Sequence, residues 1–238
     1  MTVPREALRL LVEKLGGSYS GRLGLNPSAS EDQLFQWFLA SILFGAPIFE
    51  RTAEKTFKLF QAEGLTTPRR LLEAGWDRLV EILDAGGYTR YDFKTADKLL
   101  EMAGNLERLY GGSLLRLHGE ASDSLDLEEK LKGLAKGIGQ ATLQIFFREA
   151  SEILPKAEPL PSSYEALAAR KLEITGVKGE GRKELKQVLT DIAKAWEKSG
   201  LRGGLADFRV ALLRLGRDYC RKGRCKVCPL TKYCPSSS

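Results

Sequence analysis

The chain has 238 residues, with 37 lysines and arginines against 31 acids for a formal charge of +6, and is 43% apolar and 29% charged. This is the balance of a globular protein with one large domain or two small ones, and it excludes a disordered or fibrous chain. The longest apolar run, 34–49, is broken by Gln36, Ser41 and Pro47 and is too short to cross a bilayer, so no membrane partner is expected. Residues 1–5 lack the apolar core of a secretory leader, which predicts a cytoplasmic protein. The moderate basic excess fits a nucleic-acid partner and fits a solvated lysine-rich surface equally well.

Taken in order, nearly every segment reads as helix. Residues 4–15 carry apolar side chains at helical spacing and stop at Gly16-Gly17. A polar loop, 18–30, leads to a strongly apolar segment, 31–45, suited to the centre of a core. An amphipathic helix over 49–62 follows. Thr67-Pro68 has the form of a helix start, with proline at the first position. Short helices are expected over 71–74 and 76–83, then a long one over 90–110 between Gly86-Gly87 and Gly111-Gly112. Residues 113–117 are short. Beyond Gly139, helices are expected over 162–172, 183–198 and 205–219, with Pro155, Pro159 and Pro161 marking a rigid linker. Period-two alternation is almost absent. The expectation is an all-α protein of two lobes, one formed by 31–150 and the other by 1–30 with 151–238. His118 is the only histidine, so no histidine-based metal centre can form; a surface or capping role is expected. Trp37, Trp76 and Trp196 sit in amphipathic patterns and read as core or half-buried, not as ligand platforms.

Residues 127–143 hold the first chemical signal. Asp126 with Glu129 has the spacing of a capping box, the helix ends near Leu134, and Gly137-Ile138-Gly139 turns the chain into a new helix at Gln140. The glycines permit positive φ and close backbone approach. The unpaired first amides of the second helix carry the positive end of its dipole. Such a turn can hold a phosphate, directly or through a monovalent cation, and contacts backbone without reading base sequence. Lys136, Gly137, Ile138, Gly139, Gln140 and Thr142 are the candidate contacts. Taken alone, a glycine turn between helices is more often a plain connection.

The second signal lies near the C-terminus. All the cysteines, Cys220, Cys225, Cys228 and Cys234, fall in one C-x4-C-x2-C-x5-C segment. Soft thiolates this close converge on zinc or on an iron–sulfur cluster. Two disulfides need an oxidising compartment, and spacing alone leaves zinc and iron–sulfur both open.

Together, an L-x-x-L-x-x-G-I-G-x-x-T hairpin and a terminal cysteine loop on an all-helical chain resemble the endonuclease III-like branch of the helix–hairpin–helix (HhH-GPD) DNA glycosylase superfamily. The resemblance spans about 31–234. Residues 33–45 look like that family's first core helix. Gly86-Gly87-Tyr88 followed by Lys94-Thr95-Ala96 looks like its glycine–lysine–alanine segment, and Leu213-Arg214-Leu215-Gly216 like its helix into the cluster. By that likeness the metal is a [4Fe-4S] cluster on the four cysteines. Arg221, Lys222 and Arg224 between the first two would contact phosphate. The resemblance implies a DNA-repair, nucleoid-associated monomer that binds duplex DNA without sequence preference.

The chain departs from the family where catalysis resides. The nucleophilic lysine position holds Ala141. The aspartate position falls at Pro161 or Ser162, with Glu158 the nearest carboxylate and a weak surrogate. The glutamine that fills the space of a flipped base is replaced by Ala46. Three readings follow. The first is a DNA-binding member without lyase chemistry and without base excision. The second is a divergent monofunctional glycosylase that excises a damaged or mismatched base. The third is a redox iron–sulfur protein.

Overall fold

The computed structural model describes residues 3–236. The first two residues, where a leader would begin, and the last two, assigned to the second lobe, lie outside the described residues. All regular structure among the described residues is helical, as expected. None of these helices is long and apolar enough to cross a membrane. The chain divides into two compact units, Ser20–Pro159 and the combination of Met1–Tyr19 with Leu160–Ser238.

The first unit is built around α3 (Glu31–Phe44). Ser30 caps it by accepting from Gln33 N at 3.2 Å, and Glu31 and Asp32 lie at the positive end of its dipole. Its side chains from Leu34 to Leu43 are buried on nearly every face, which is why the sequence carries no polar stripe there. Around it lie α4 (Glu50–Ala62), α7 (Leu114–Glu120) and α9 (Gln140–Ala150), while α5 (Pro68–Gly86) pairs with α6 (Asp92–Tyr110). Two contacts join α3 to α9. Trp37 Nε1 donates to Phe146 O at 3.0 Å, and the Phe38 ring meets Phe146 edge-on with centroids 4.8 Å apart. Thr67 caps α5 with Pro68 at its first position. Gly75 (φ 73°) breaks α5, so the two short helices read from the sequence are one helix interrupted at a left-handed residue.

The second unit contains α1 (Arg5–Leu15), α10 (Ser163–Lys171), α11 (Arg182–Ser199) and α12 (Leu205–Leu215). Its core is Leu8, Leu11, Ala166, Ala169, Ile192, Phe208 and Leu212, with Leu230 from the cysteine loop closing it. The short α2 (Tyr19–Arg22) lies at the division. The sequence reading places the boundaries at 30/31 and 150/151; the structure divides at 19/20 and 159/160. Side-chain anchors account for the difference. Ser20 N donates to Glu149 at 2.9 Å, and Lys156 Nζ donates to the carbonyls of His118 (2.9 Å), Gly119 (3.0 Å) and Ala121 (2.5 Å) at the end of α7. An ammonium there satisfies orphan helix carbonyls, and it ties 151–159 to the first unit. Trp37 is fully buried, whereas Trp76 stays partly exposed with Phe93 beside it, centroids 5.2 Å apart.

Candidate nucleic-acid interface and cysteine loop

The hairpin joins α8 (Ser124–Lys132) to α9. The cap of α8 is Asp123, whose carboxylate accepts from Leu125 N (2.8 Å) and Asp126 N (2.9 Å). Asp126, expected as the cap, instead accepts from Ser122 N at 2.7 Å and pairs with Lys130; these contacts hold its carboxyl below the usual range. The sequence offered two aspartates at capping distance, and the helix starts one turn earlier than the expected box.

The turn is fastened to one face of α6. Asn105 Nδ2 donates to Leu134 O at 3.0 Å, and Lys136 N donates to Glu101 Oε2 at 3.0 Å. A Cβ on Gly137 would stand 3.1 Å from Lys98 Cε. Residues 98, 101 and 105 recur at helical spacing, so one stripe of α6 carries the whole turn. Gly137 has φ +90° and needs to be glycine. Gly139 does not: its φ is −114°, and a Cβ added there meets nothing within 4 Å. As the N-cap of α9 it offers no side chain to the first-turn amides.

Lys136, Gly137, Gly139, Gln140 and Ala141 are exposed, so the turn presents backbone outward. Ile138 and Thr142 are buried, which corrects their reading as surface contacts. Ile138 plugs the core. Thr142 packs on the end of α3, where a Cβ on Gly45 would lie 2.3 Å from its Oγ1. Lys98 was missed. It is half-buried, its pKa is lowered by burial, and it has no ion-pair partner among the described residues. Only its i+4 relation to Lys94 marked it in the sequence.

The positions expected to carry catalysis are accounted for individually. Ala141 is exposed and presents only a methyl group. Ser162 caps α10 in a buried capping box: its Oγ donates to Glu165 Oε2 at 2.8 Å, its N donates to the same oxygen at 2.8 Å, and Glu165 N donates back to the hydroxyl at 3.3 Å. The other oxygen of Glu165 accepts from Arg209 Nε at 2.9 Å, with Glu165 0% and Arg209 2% exposed. Pro161 is buried beside this box, and Glu158 is half-buried in the segment held by Lys156. His118 is half-buried, and its Nε2 accepts from the loop amide Lys156 N at 3.1 Å.

The four cysteines lie around one cavity of about 160 Å³ that Leu215, Tyr219 and Leu230 also line. A π-turn (Gly216–Cys220) continues α12 into the first thiol, and a Cβ on Gly216 would fall 2.0 Å from Tyr164 O. Only glycine lets α10 and this turn come so close. Thr231 Oγ1 donates to the carbonyls of Cys225 and Cys228, bracing the C-x2-C turn. Burial pushes the Cys220 thiol up to about 11, and its three neighbouring thiols push the same way; burial also raises Cys228. Left to itself the Cys220 thiol stays protonated at neutral pH, and holding it as a thiolate requires a positive centre beside it. No three of the His, Cys, Asp and Glu side chains among the described residues are set to enclose a single metal ion. A cavity more than ten times the roughly 10–15 Å³ needed for one water-sized sphere suits a polynuclear group better than a lone ion. The basic residues differ among themselves. Arg221 is held on Tyr164, by a hydrogen bond to its hydroxyl and 5.5 Å over its ring, and Lys222 pairs with Asp218 at 3.6 Å. Arg224 is exposed, with no ion-pair partner among the described residues.

No family model matches the chain, and no curated protein matches it. Solved structures do. A thermostable thymine-DNA glycosylase aligns over 98% of this chain and 97% of its own, at 15% identity and a TM-score of 0.55. An endonuclease III, trapped as a covalent intermediate with DNA in an estranged-adenine complex, aligns over the same shares at 15% identity and 0.56. At that identity the likeness is one of fold, and it extends through both units.

Proposed function

We propose that this protein binds duplex DNA through the exposed α8–α9 hairpin and the basic residues of the cysteine loop, without the amine chemistry of a lyase. The observation that carries the reading is Gly139. No neighbour crowds a Cβ there, and its open side adjoins the uncapped amides of α9. A backbone left bare towards solvent at a helix start suits a phosphate oxygen approaching from outside. The contact would be to backbone, so binding would be independent of sequence and strongly salt-dependent. The two solved structures of the same fold are a DNA glycosylase and an endonuclease III bound to DNA, in keeping with a DNA-repair role.

Cys220, Cys225, Cys228 and Cys234 would hold a [4Fe-4S] cluster, supported by their shared cavity and by its size. When bound, the cluster supplies a rigid link across the loop and a one-electron centre. The protein's own contribution is to place Arg224 and Lys222 at the surface beside it. A Schiff base cannot form at Ala141, and the Ser162–Glu165 box commits the nearby carboxylate to Arg209 and to the helix start.

The test is binding of a labelled duplex by the wild type and by Gly139→Val, with thermal unfolding of both. Charge-assisted hydrogen bonds of about 1.5–3 kcal/mol predict a loss of roughly 10- to 150-fold in affinity with an unchanged melting temperature. Equal affinity in the two proteins would remove the hairpin from the account. Borohydride trapping on an abasic duplex should give no covalent adduct.

A further inference from the structure

The ammonium group of Lys98 has no task within the fold. The residue is half-buried on α6 and makes no hydrogen bond or ion pair among the described residues. A lysine that buries its stem and keeps its head in water is ordinary. Its place sets this one apart. A Cβ added to Gly137 would stand 3.1 Å from Lys98 Cε and 3.4 Å from its Nζ, so the ammonium lies against the hairpin turn at the residue with φ +90°. Gly137 therefore has two reasons to be glycine, its backbone angle and the room it leaves for this side chain. The nearest acids of α6 are turned to other partners. Asp97 Oδ1 accepts from Trp76 Nε1 at 2.8 Å, and Glu101 Oε2 accepts from Lys136 N at 3.0 Å. Carbonyls of the turn are engaged as well. Leu134 O accepts from Asn105 Nδ2 at 3.0 Å, and Ala135 O accepts from Ile138 N at 3.2 Å.

We propose that Lys98 is the built-in cation of the hairpin: its ammonium meets the DNA phosphate that the turn receives, and supplies the charge that a free monovalent cation would otherwise bring. This rests on the duplex-binding reading above and chooses between its two forms, a phosphate held directly and a phosphate held through an ion. A second cation brought to the same turn would be repelled by an ammonium that no ion pair neutralises. It would also have to share carbonyls that already accept hydrogen bonds. A tethered ammonium is present at the turn whatever the salt, and lysine suits a phosphate as a point charge on a long stem. Half-burial leaves this ammonium short of solvation and lowers its pKa, and an arriving phosphate would provide the missing counter-charge.

The test measures binding of a labelled duplex by full-length wild type, Lys98→Met, Lys98→Arg and Gly139→Val across a salt series. Methionine keeps the packing of the stem and removes the charge. Each phosphate neutralised contributes about 0.9 to the slope of log K against log salt, so Lys98→Met should flatten the slope by about that amount and Lys98→Arg should keep it. A merely structural role would weaken binding or lower the melting temperature without moving the slope. Wild type should bind equally well in potassium chloride and in tetramethylammonium chloride of the same ionic strength, because no small ion has to be seated. An unchanged slope in Lys98→Met, with binding weakened in Gly139→Val, would overturn the assignment and leave the hairpin standing. Wild type that fails to bind in tetramethylammonium and recovers with potassium would overturn it too, since a recruited ion would then carry the charge. No weakening in Gly139→Val, or no binding by the wild type, would remove the hairpin reading and this assignment with it.

Discussion

Glu165 and Arg209 form an ion pair from which water is almost wholly excluded, and the consequence of breaking it follows from the geometry. Glu165 Oε1 accepts from Arg209 Nε at 2.9 Å, while Oε2 accepts from the amide and the hydroxyl of Ser162. Arg209 also reaches Leu160 O at 3.4 Å. Glu165→Ala removes the carboxylate, takes one partner from a buried guanidinium and removes the carboxylate half of the α10 capping box, while the backbone N of residue 165 still donates to Ser162 Oγ. Removing one partner of a buried pair costs about 3–5 kcal/mol, because the remaining charge loses that counter-ion where almost no solvent can replace it. For a chain of this length that corresponds to a fall of roughly 6–20 °C in melting temperature. Circular dichroism of wild type, Glu165→Ala and the double variant Glu165→Leu/Arg209→Met decides the matter. The double variant removes both charges together and should recover most of the loss. A single variant that melts within about 2 °C of wild type would refute the reasoning, since the pair would then be solvated or the cap carried by other groups. The result bears on function, because this carboxylate lies three residues from the position where the resembled family carries an aspartate.

Gly137→Ala should destabilise the hairpin by about 1–2 kcal/mol, through its positive φ and the 3.1 Å approach of Lys98, whereas Gly139→Ala should leave stability unchanged; urea midpoints measure both. Burial and the Lys156 ammonium hold His118 below its ordinary pKa, so the folded state favours the neutral ring. Its contribution is fully present above about pH 6.5 and is lost as pH falls below that value, where the unfolded chain takes up the proton first; His118→Gln should flatten the loss between about pH 7.5 and 5.5 in urea titrations. Cys228→Ser, expressed anaerobically, should lose the brown chromophore and the bound iron and sulfide of the wild type; a colourless, zinc-loaded wild type would overturn the cluster proposal. Gly216→Ala should lower the melting temperature of the chain, since its Cβ would fall 2.0 Å from a carbonyl that cannot move without shifting α10.

Local rules made the helices legible. The apolar run of α3, the Thr67-Pro68 start and the closing glycines are each a short-range statement, and each corresponds to an observed helix end or core face. The start of α8 was misplaced because Asp123 and Asp126 both satisfy the capping rule, and only the hydrogen bonds choose between them. The hairpin was legible as a pattern of glycines. The distinct tasks of those glycines were not, because the need at Gly137 comes from φ and the freedom at Gly139 from empty space. Burial of Thr142 depends on Gly45, nearly a hundred positions away, a tertiary contact that no window of sequence contains. Lys98 and the Arg221–Tyr164 pair escaped for the same reason: their surroundings belong to other elements.

The departures at the catalytic positions have a common physical form. Where the resemblance would place a lysine, Ala141 presents a methyl group in an exposed place that could hold a charged side chain at little cost to folding. At Ser162 the local hydroxyl and the Glu165 carboxylate are drawn into a buried cap and an ion pair, so neither is available to a substrate without dismantling the start of α10. The backbone hairpin, by contrast, keeps its open face at Gly139. The hairpin groups proposed to meet a duplex are exposed, whereas the polar groups near Ser162 are tied into the fold. A single sequence shift would misplace such positions together. It would not also convert one of them into a satisfied capping box.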